Sequence, residues 1–267
     1  MDTVSSVGFL VHGSSNIQQD HIIGSPLALS SETYAAKAWV KFSDVAALQR
    51  PDVQVIQGKA SQVDCEKKNA VIVTASDLTL TLSYDYLVVA TGVRRAWPVV
   101  PQSLRRKQYL FEAGDHITAV SKASRGVVVV GGGMPFNSDI CRTNSTPGAV
   151  GIEMAAELKL VQPHINVTLA HSHSKLLSSE PLPEEVKDCA LDLAKDAGLN
   201  ILLNHRLEKT VKKSGEDGSK FLELTYANGN TMVASEVIMA VSRSVPSTDF
   251  LPNAALDSDG YVKILPT

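Results

Sequence analysis

Short apolar segments alternate along this chain with stretches whose apolar residues recur at helical spacing. Val53–Gln57, Ala70–Thr74, Tyr86–Ala90 and Val127–Val130 are short, β-branched and bounded by turn formers, which predicts strands. The last two are apolar throughout, as central parallel strands covered on both faces would be. Ile152–Val161 follows with Ile152, Ala155, Ala156 and Leu158 at helical spacing among good helix formers. With the strand expected at Val167–Ala170 it makes a strand, helix, strand unit of the length that a right-handed parallel crossover needs. A second helix is predicted over Pro183–Ala197, with Glu184 and Glu185 in its first turn, Lys195 near its end and Gly198 as its C-cap. Leu199–Leu203 then reads as a strand, Phe221–Tyr226 and Thr231–Ala234 as a hairpin around Asn228-Gly229, and Glu236–Val241 as a further apolar strand. From Pro246 onward the pattern is loop-like. The fold class is α/β.

The chemistry-bearing signal lies where the valine strand ends. Val127-Val128-Val129-Val130 runs into Gly131-Gly132-Gly133, a turn that lets backbone approach a pyrophosphate closely. A helix should follow at once, so that its N-terminal amides face the phosphates. Residues 134–148 intervene instead, polar, with two prolines and without periodicity. If they are set aside, Gly131, Gly133 and Gly151 restore Gly-x-Gly-x-x-Gly between a pure valine strand and an alanine-rich helix. The stretch is either a surface loop or translated intron. Codon degeneracy permits a splice donor at Gly133-Met134, an acceptor in the same phase at Pro147-Gly148, and a branch sequence across Arg142-Thr143-Asn144.

Composition narrows the function classes. The chain has 267 residues, 44% hydrophobic and 20% charged, a mean hydropathy near zero and a net charge of −3, which fits a globular protein of one large or two ordinary domains. No basic stripe interleaved with aromatics suggests a nucleic-acid groove. No apolar run approaches the ~20 residues of a transmembrane helix. The first residues, with an apolar patch around Val7–Val11, show neither a signal peptide nor an arginine-rich transit peptide. Cys65, Cys141 and Cys189 are odd in number and far apart, so a zinc ribbon and a Cys-x-x-Cys dithiol are excluded, and each reads as a small apolar residue. The expected location is cytoplasmic, with mitochondrial association open. Glu180, Glu184 and Glu185 read as helix-dipole partners on a solvated face. Arg94, Arg95, Arg105, Arg106 and Lys107 read as a solvated basic cluster.

Several segments together resemble the apoptosis-inducing-factor-like branch of the FAD-dependent pyridine-nucleotide oxidoreductases, in its fungal form. They are Ile23-Gly24-Ser25-Pro26-Leu27-Ala28, Tyr84 through Gly92, the interrupted glycine motif with Glu153, Leu176 through Pro183, and Leu256 through Val262. The resemblance spans roughly residues 22–265, and Tyr84-Asp85-Tyr86-Leu87-Val88-Val89-Ala90-Thr91-Gly92 is its most specific part.

It implies a Rossmann-like NAD(P)H-binding domain, residues 96–239, inserted in an incomplete FAD-binding α/β domain, residues 1–95 and 240–267. It implies that Thr91 and Gly92 lie where the chain leaves the FAD domain, and that Gly131, Gly133, Gly151 and Glu153 belong to the NAD(P)H site. The FAD half is read as incomplete because no glycine-rich turn precedes Gly24 and Thr267 stops before the Gly-Asp segment with which family members meet the flavin. The second hinge is replaced by Val241-Ser242-Arg243. The implied activity passes hydride from NADH or NADPH to FAD and on to a small acceptor, with a quinone as the family expectation. No catalytic side chain or metal ligand is implied. The alternative is a truncated, inactive family member or a nucleotide-binding module. At the end of the second strand, Leu169-Ala170-His171-Ser172-His173 offers no carboxylate to a ribose, and His171 or His173 could meet a 2′-phosphate, so NADH against NADPH stays open.

Overall fold

The computed structural model describes residues 7–12, 18–20, 24–74, 76–94, 106–131, 149–178, 180–216, 218–240 and 245–264. In chain order the elements begin with β1 Val7–His12, β2 Gln18–Asp20, α1 Ser25–Ala28, α2 Glu32–Ala38, β3 Trp39–Lys41, β4 Val53–Asp64, β5 Asn69–Thr74, β6 Thr79–Ser83 and β7 Val93–Arg94. There follow α3 Arg106–Ser121, β8 Val127–Gly131, α4 Ala149–Val161, β9 Val167–His171, α5 Glu184–Asp196 and β10 Asn200–Leu202. The chain continues through β11 Leu207–Ser214, β12 Lys220–Tyr226, β13 Thr231–Ala234, β14 Glu236–Met239 and β15 Val245–Pro246.

Two sheets dominate. One has the order β1-β4-β5-β6, with β1 parallel to β4 and the rest antiparallel. The other, β10-β9-β8-β14, is parallel throughout. Strand alternation explains why all four valines of β8 are buried. Val127 and Val129 pack with Val167, Leu169 and Ile238 against Met154, Ala155 and Leu158 of α4 and Ala194 of α5. Val128 and Val130 face the other way with Ala170, onto Leu207, Leu224, Tyr226 and Ala234 of the antiparallel β11-β12-β13 sheet. A sheet covered by helices on one face and a second sheet on the other has no solvent side, so its central strand loses the usual polar alternation.

The parallel unit agrees with the sequence pattern. β8, α4 and β9 occur in the expected order, and α5 ends with Gly198 at a φ of +83°, its N–H donating to the Lys195 carbonyl at 2.8 Å. The hairpin also forms, but Asn228-Gly229 does not make a two-residue turn. Gly229 donates to the Tyr226 carbonyl and Tyr226 to that of Asn230, both at 2.9 Å, so Gly229 serves as the bulge residue of a longer loop.

Other segments depart from expectation. Tyr86–Ala90, expected as a central buried strand, is not a strand, and Tyr86 and Val88 are each 86% exposed. No strand among the described residues runs beside it, and an apolar run without a ladder partner has nothing to bury it or to satisfy its amides. The apolar patch near the N-terminus is β1, aligned on β4 from Val7↔Val53 to His12↔Gly58.

Helix α3 has a weak sequence signal because Gly114 and the β-branched Ile117, Thr118 and Val120 dilute its propensity. It is nonetheless held by Tyr109, Ala113, Ile117 and Val120, buried at helical spacing. Tyr109 and Ala113 pack with Ala28, Ala35 and Ala38, and Tyr109 stacks on Trp39 at 5.4 Å between centroids.

Candidate dinucleotide-binding site

The end of β8 and the start of α4 bring two of the anticipated glycines together. A Cβ on Gly151 would lie 3.1 Å from the Gly131 Cα and 3.5 Å from the Ala240 Cβ, and one on Gly131 would lie 3.6 Å from the Gly151 Cα. Helix and strand therefore approach until only hydrogen fits between them. That is the packing a dinucleotide turn requires, and it sets the first turn of α4 over the strand end. Ala240, just past β14, contributes through its small size, a role that sequence spacing alone did not mark.

His171 ends β9 beside this junction. Its side chain is buried, and Nδ1 stands 2.9 Å from the Gly131 carbonyl oxygen. A carbonyl only accepts, so Nδ1 carries the proton and donates. The Ser178 hydroxyl lies 3.4 Å from Nε2. Burial holds the His171 pKa below the ordinary histidine value, opposed by the hydrogen bond to Gly131 and reinforced by the neighbouring His173. His173 is exposed, its ring tilted toward that of His171 at 5.7 Å. Between them, Ser172 has a buried Oγ without a hydrogen-bond partner among the described residues.

Glu153 follows Gly151 on α4 and is exposed. Gly133, the stretch 134–148 and Val241-Ser242-Arg243 lie outside the described residues, as do Arg95, Arg105 and Cys141. Thr91 and Gly92 belong to a separate clasp. The Thr91 hydroxyl donates to the Ser247 carbonyl at 2.8 Å, Ser247 N–H donates to the Gly92 carbonyl at 3.2 Å, and the short strands β7 and β15 pair beyond them. Gly92 has a φ of +62°, a conformation that suits glycine at this bend.

Among the described residues no group of three or more His, Cys, Asp or Glu side chains could hold a metal, and no helix is long and apolar enough to cross a membrane. Glu184 accepts from Lys175 and Lys187, which hold its carboxyl below the usual range, and Asp188 shares Lys175. Cys65 and Cys189 are free and exposed, not buried as small apolar residues would be. In the basic cluster, Arg106 donates to the Ala36 carbonyl at 2.7 Å.

Residues 14–135 match the family model described as pyridine nucleotide-disulphide oxidoreductase. The chain is 44% identical over 246 residues to Oxidoreductase OXR1 of Ajellomyces capsulatus, an alignment covering 91% of this chain and 50% of that protein. It is 25% identical over 213 residues to ferroptosis suppressor protein 1 of Mus musculus, covering 78% of this chain and 51% of the relative. Thus the chain spans about half the length of the curated relatives it matches. Among solved structures, reduced Bacillus anthracis CoADR-RHD superposes with a TM-score of 0.62 at 18% identity, over 96% of this chain and 42% of the other. Over residues 14–135 the chain is thus similar to the pyridine nucleotide-disulphide oxidoreductases, and its homologues and structural neighbours are FAD-dependent enzymes that use NADH or NADPH.

Proposed function

We propose that the junction of β8 and α4 binds NADH or NADPH, and that the chain works in hydride transfer from the nicotinamide to FAD and on to a small acceptor, a quinone being the leading candidate. The approach of Gly151 to Gly131 carries this reading: it is a cradle that a single Cβ would fill, at the buried end of a parallel strand. The α4 amides and helix dipole would bind the pyrophosphate, while His171 holds the strand-end carbonyl in place. Bound nicotinamide and flavin supply the redox chemistry. The protein's part is to place them and exclude water. We assign residues 96–239 to the nicotinamide domain and residues 1–95 with 240–267 to the flavin domain. The pairing of β7 with β15, where the chain would leave and return, supports that division. On the flavin side Ser25 has a buried Oγ without a partner among the described residues, a group that fits a polar ligand.

A second reading, a dinucleotide-binding module without flavin turnover, is favoured by the exposure of Tyr86–Ala90 within the proposed flavin domain. Spectroscopy of the purified chain decides between them. Absorbance at about 450 nm, together with NADH or NADPH oxidation by an added quinone, is the result expected of the first reading. Colourless protein that binds the dinucleotide supports the second, and colourless protein that binds neither dinucleotide overturns both.

A further inference from the structure

A strand at the edge of a sheet leaves one row of amides and carbonyls unpaired, and folds usually guard such a row with charge or proline. The outer strand β11 shows that guard in Glu208, Lys209, Lys212 and Lys213. β6 closes the β1-β4-β5-β6 sheet without it. No charged residue and no proline occurs from Leu78 to Tyr84, and no strand among the described residues pairs with the outer side of β6. The ladder to β5 fixes which groups are left over. Thr74 N–H donates to the Leu78 carbonyl at 2.8 Å and Tyr84 N–H to that of Lys68 at 2.9 Å, in the same register that pairs Ile72 with Leu80 and Ala70 with Leu82. Bonded pairs alternate along an antiparallel ladder, so Leu80 and Leu82 point their backbone at β5 while Thr79, Thr81 and Ser83 point theirs outward. Side chains alternate too. Leu80 and Leu82 share the face on which Ile72 is buried, yet Leu80 is 38% and Leu78 62% exposed, so the apolar face ends half-covered at this edge.

We infer that the outer edge of β6 is a docking surface for a second copy of this chain, which adds its own β6 antiparallel about a twofold axis at Thr81. Leu78 to Tyr84 reads nearly alike in both directions about that residue. The axis sets Thr81 against Thr81 of the copy and Thr79 against Ser83 of the copy, all with outward backbone groups, for about six hydrogen bonds. Leu80 then meets Leu82 of the copy on the apolar face. Hydroxyl faces hydroxyl and leucine faces leucine, pairings that stabilise antiparallel strands. The acids at the two ends choose the centre. An axis at Thr79 would bring Asp77 against Thr81 of the copy and one at Ser83 would bring Asp85 there, whereas the axis at Thr81 keeps both acids outside the ladder. A single ladder of this length gives a weak dimer, with a Kd on the order of 10 μM.

Sedimentation equilibrium of the full chain from about 1 to about 200 μM tests this, and a reversible passage from monomer to dimer is expected. Thr81→Pro deletes an outward N–H that β5 does not use, at a place where an edge strand accepts proline, and Thr81→Lys sets two ammonium groups against each other. Each should weaken association at least about tenfold and leave urea unfolding of the dilute monomer nearly unchanged. Oxidative cross-linking reads the register. Thr81→Cys should give a disulfide-linked dimer in excess over the wild type, whose Cys65 and Cys189 are exposed, and Thr79→Cys should not, because residue 79 stands away from its own copy. A chain that stays monomeric throughout overturns the inference, as do oligomers larger than a dimer, a dimer that survives both Thr81 substitutions, or Thr79→Cys cross-linking as readily as Thr81→Cys. The wild-type series and Thr81→Lys decide even if Thr81→Pro does not fold.

Discussion

Val127–Val130 and Tyr86–Ala90 are near twins in composition, yet the first is completely buried in a parallel sheet and the second is an exposed segment outside any strand. The difference lies in their neighbours. β8 has β9 on one edge and β14 on the other, helices above and a meander below. Tyr86–Ala90 has no strand on either edge among the described residues. An apolar run is thus a request for partners, and the ladder forms only where other segments meet it.

Charge substitution breaks this comparison most sharply on the buried side. Val129→Asp places a carboxylate between β9, β14 and α4, and is expected to cost more than about 4 kcal/mol, read as loss of cooperative urea unfolding. At the edge of the same core, Gly151→Val forces α4 away from β8 and is expected to cost about 2 to 3 kcal/mol, with dinucleotide binding weakened in the same samples.

A pH titration sharpens the comparison by probing a packing face outside β8. Burial lowers the pKa of His116 on α3 from 6.5 to about 4, so the folded state prefers the neutral ring. The stability this gives is fully present above pH 6.5 and is lost as pH falls toward 4. The part of the fall due to His116 should be about 2 kcal/mol, allowing for its partial exposure, and His116→Gln should remove that part. The smallest effect is expected for Val88→Asp, within about 0.5 kcal/mol by the same unfolding measurement. A Val88→Asp cost near that of Val129→Asp would show that the second run is buried in solution.

The site repeats the lesson on a smaller scale. Gly131 and Gly151 could be paired from the sequence because a strand, a turn and a helix in register bring them together by local geometry. Glu153 of the same motif is exposed on α4. Ala240 joins the glycines from a strand far along the chain, and no spacing rule reaches that distance.

By itself the sequence determined the local elements: the valine strand, the alanine-rich helix, the glycine after α5 and a hairpin near Asn228-Gly229. Those follow from backbone sterics and side-chain period, which act over a few residues. Tertiary structure decided which apolar run became a strand, how the β8 valines divide between two layers, that α3 forms despite weak propensity, and that His171 turns inward to Gly131. Each of those outcomes depends on burial and on partners supplied by distant segments, and burial belongs to the assembled neighbours of a residue, not to the residue.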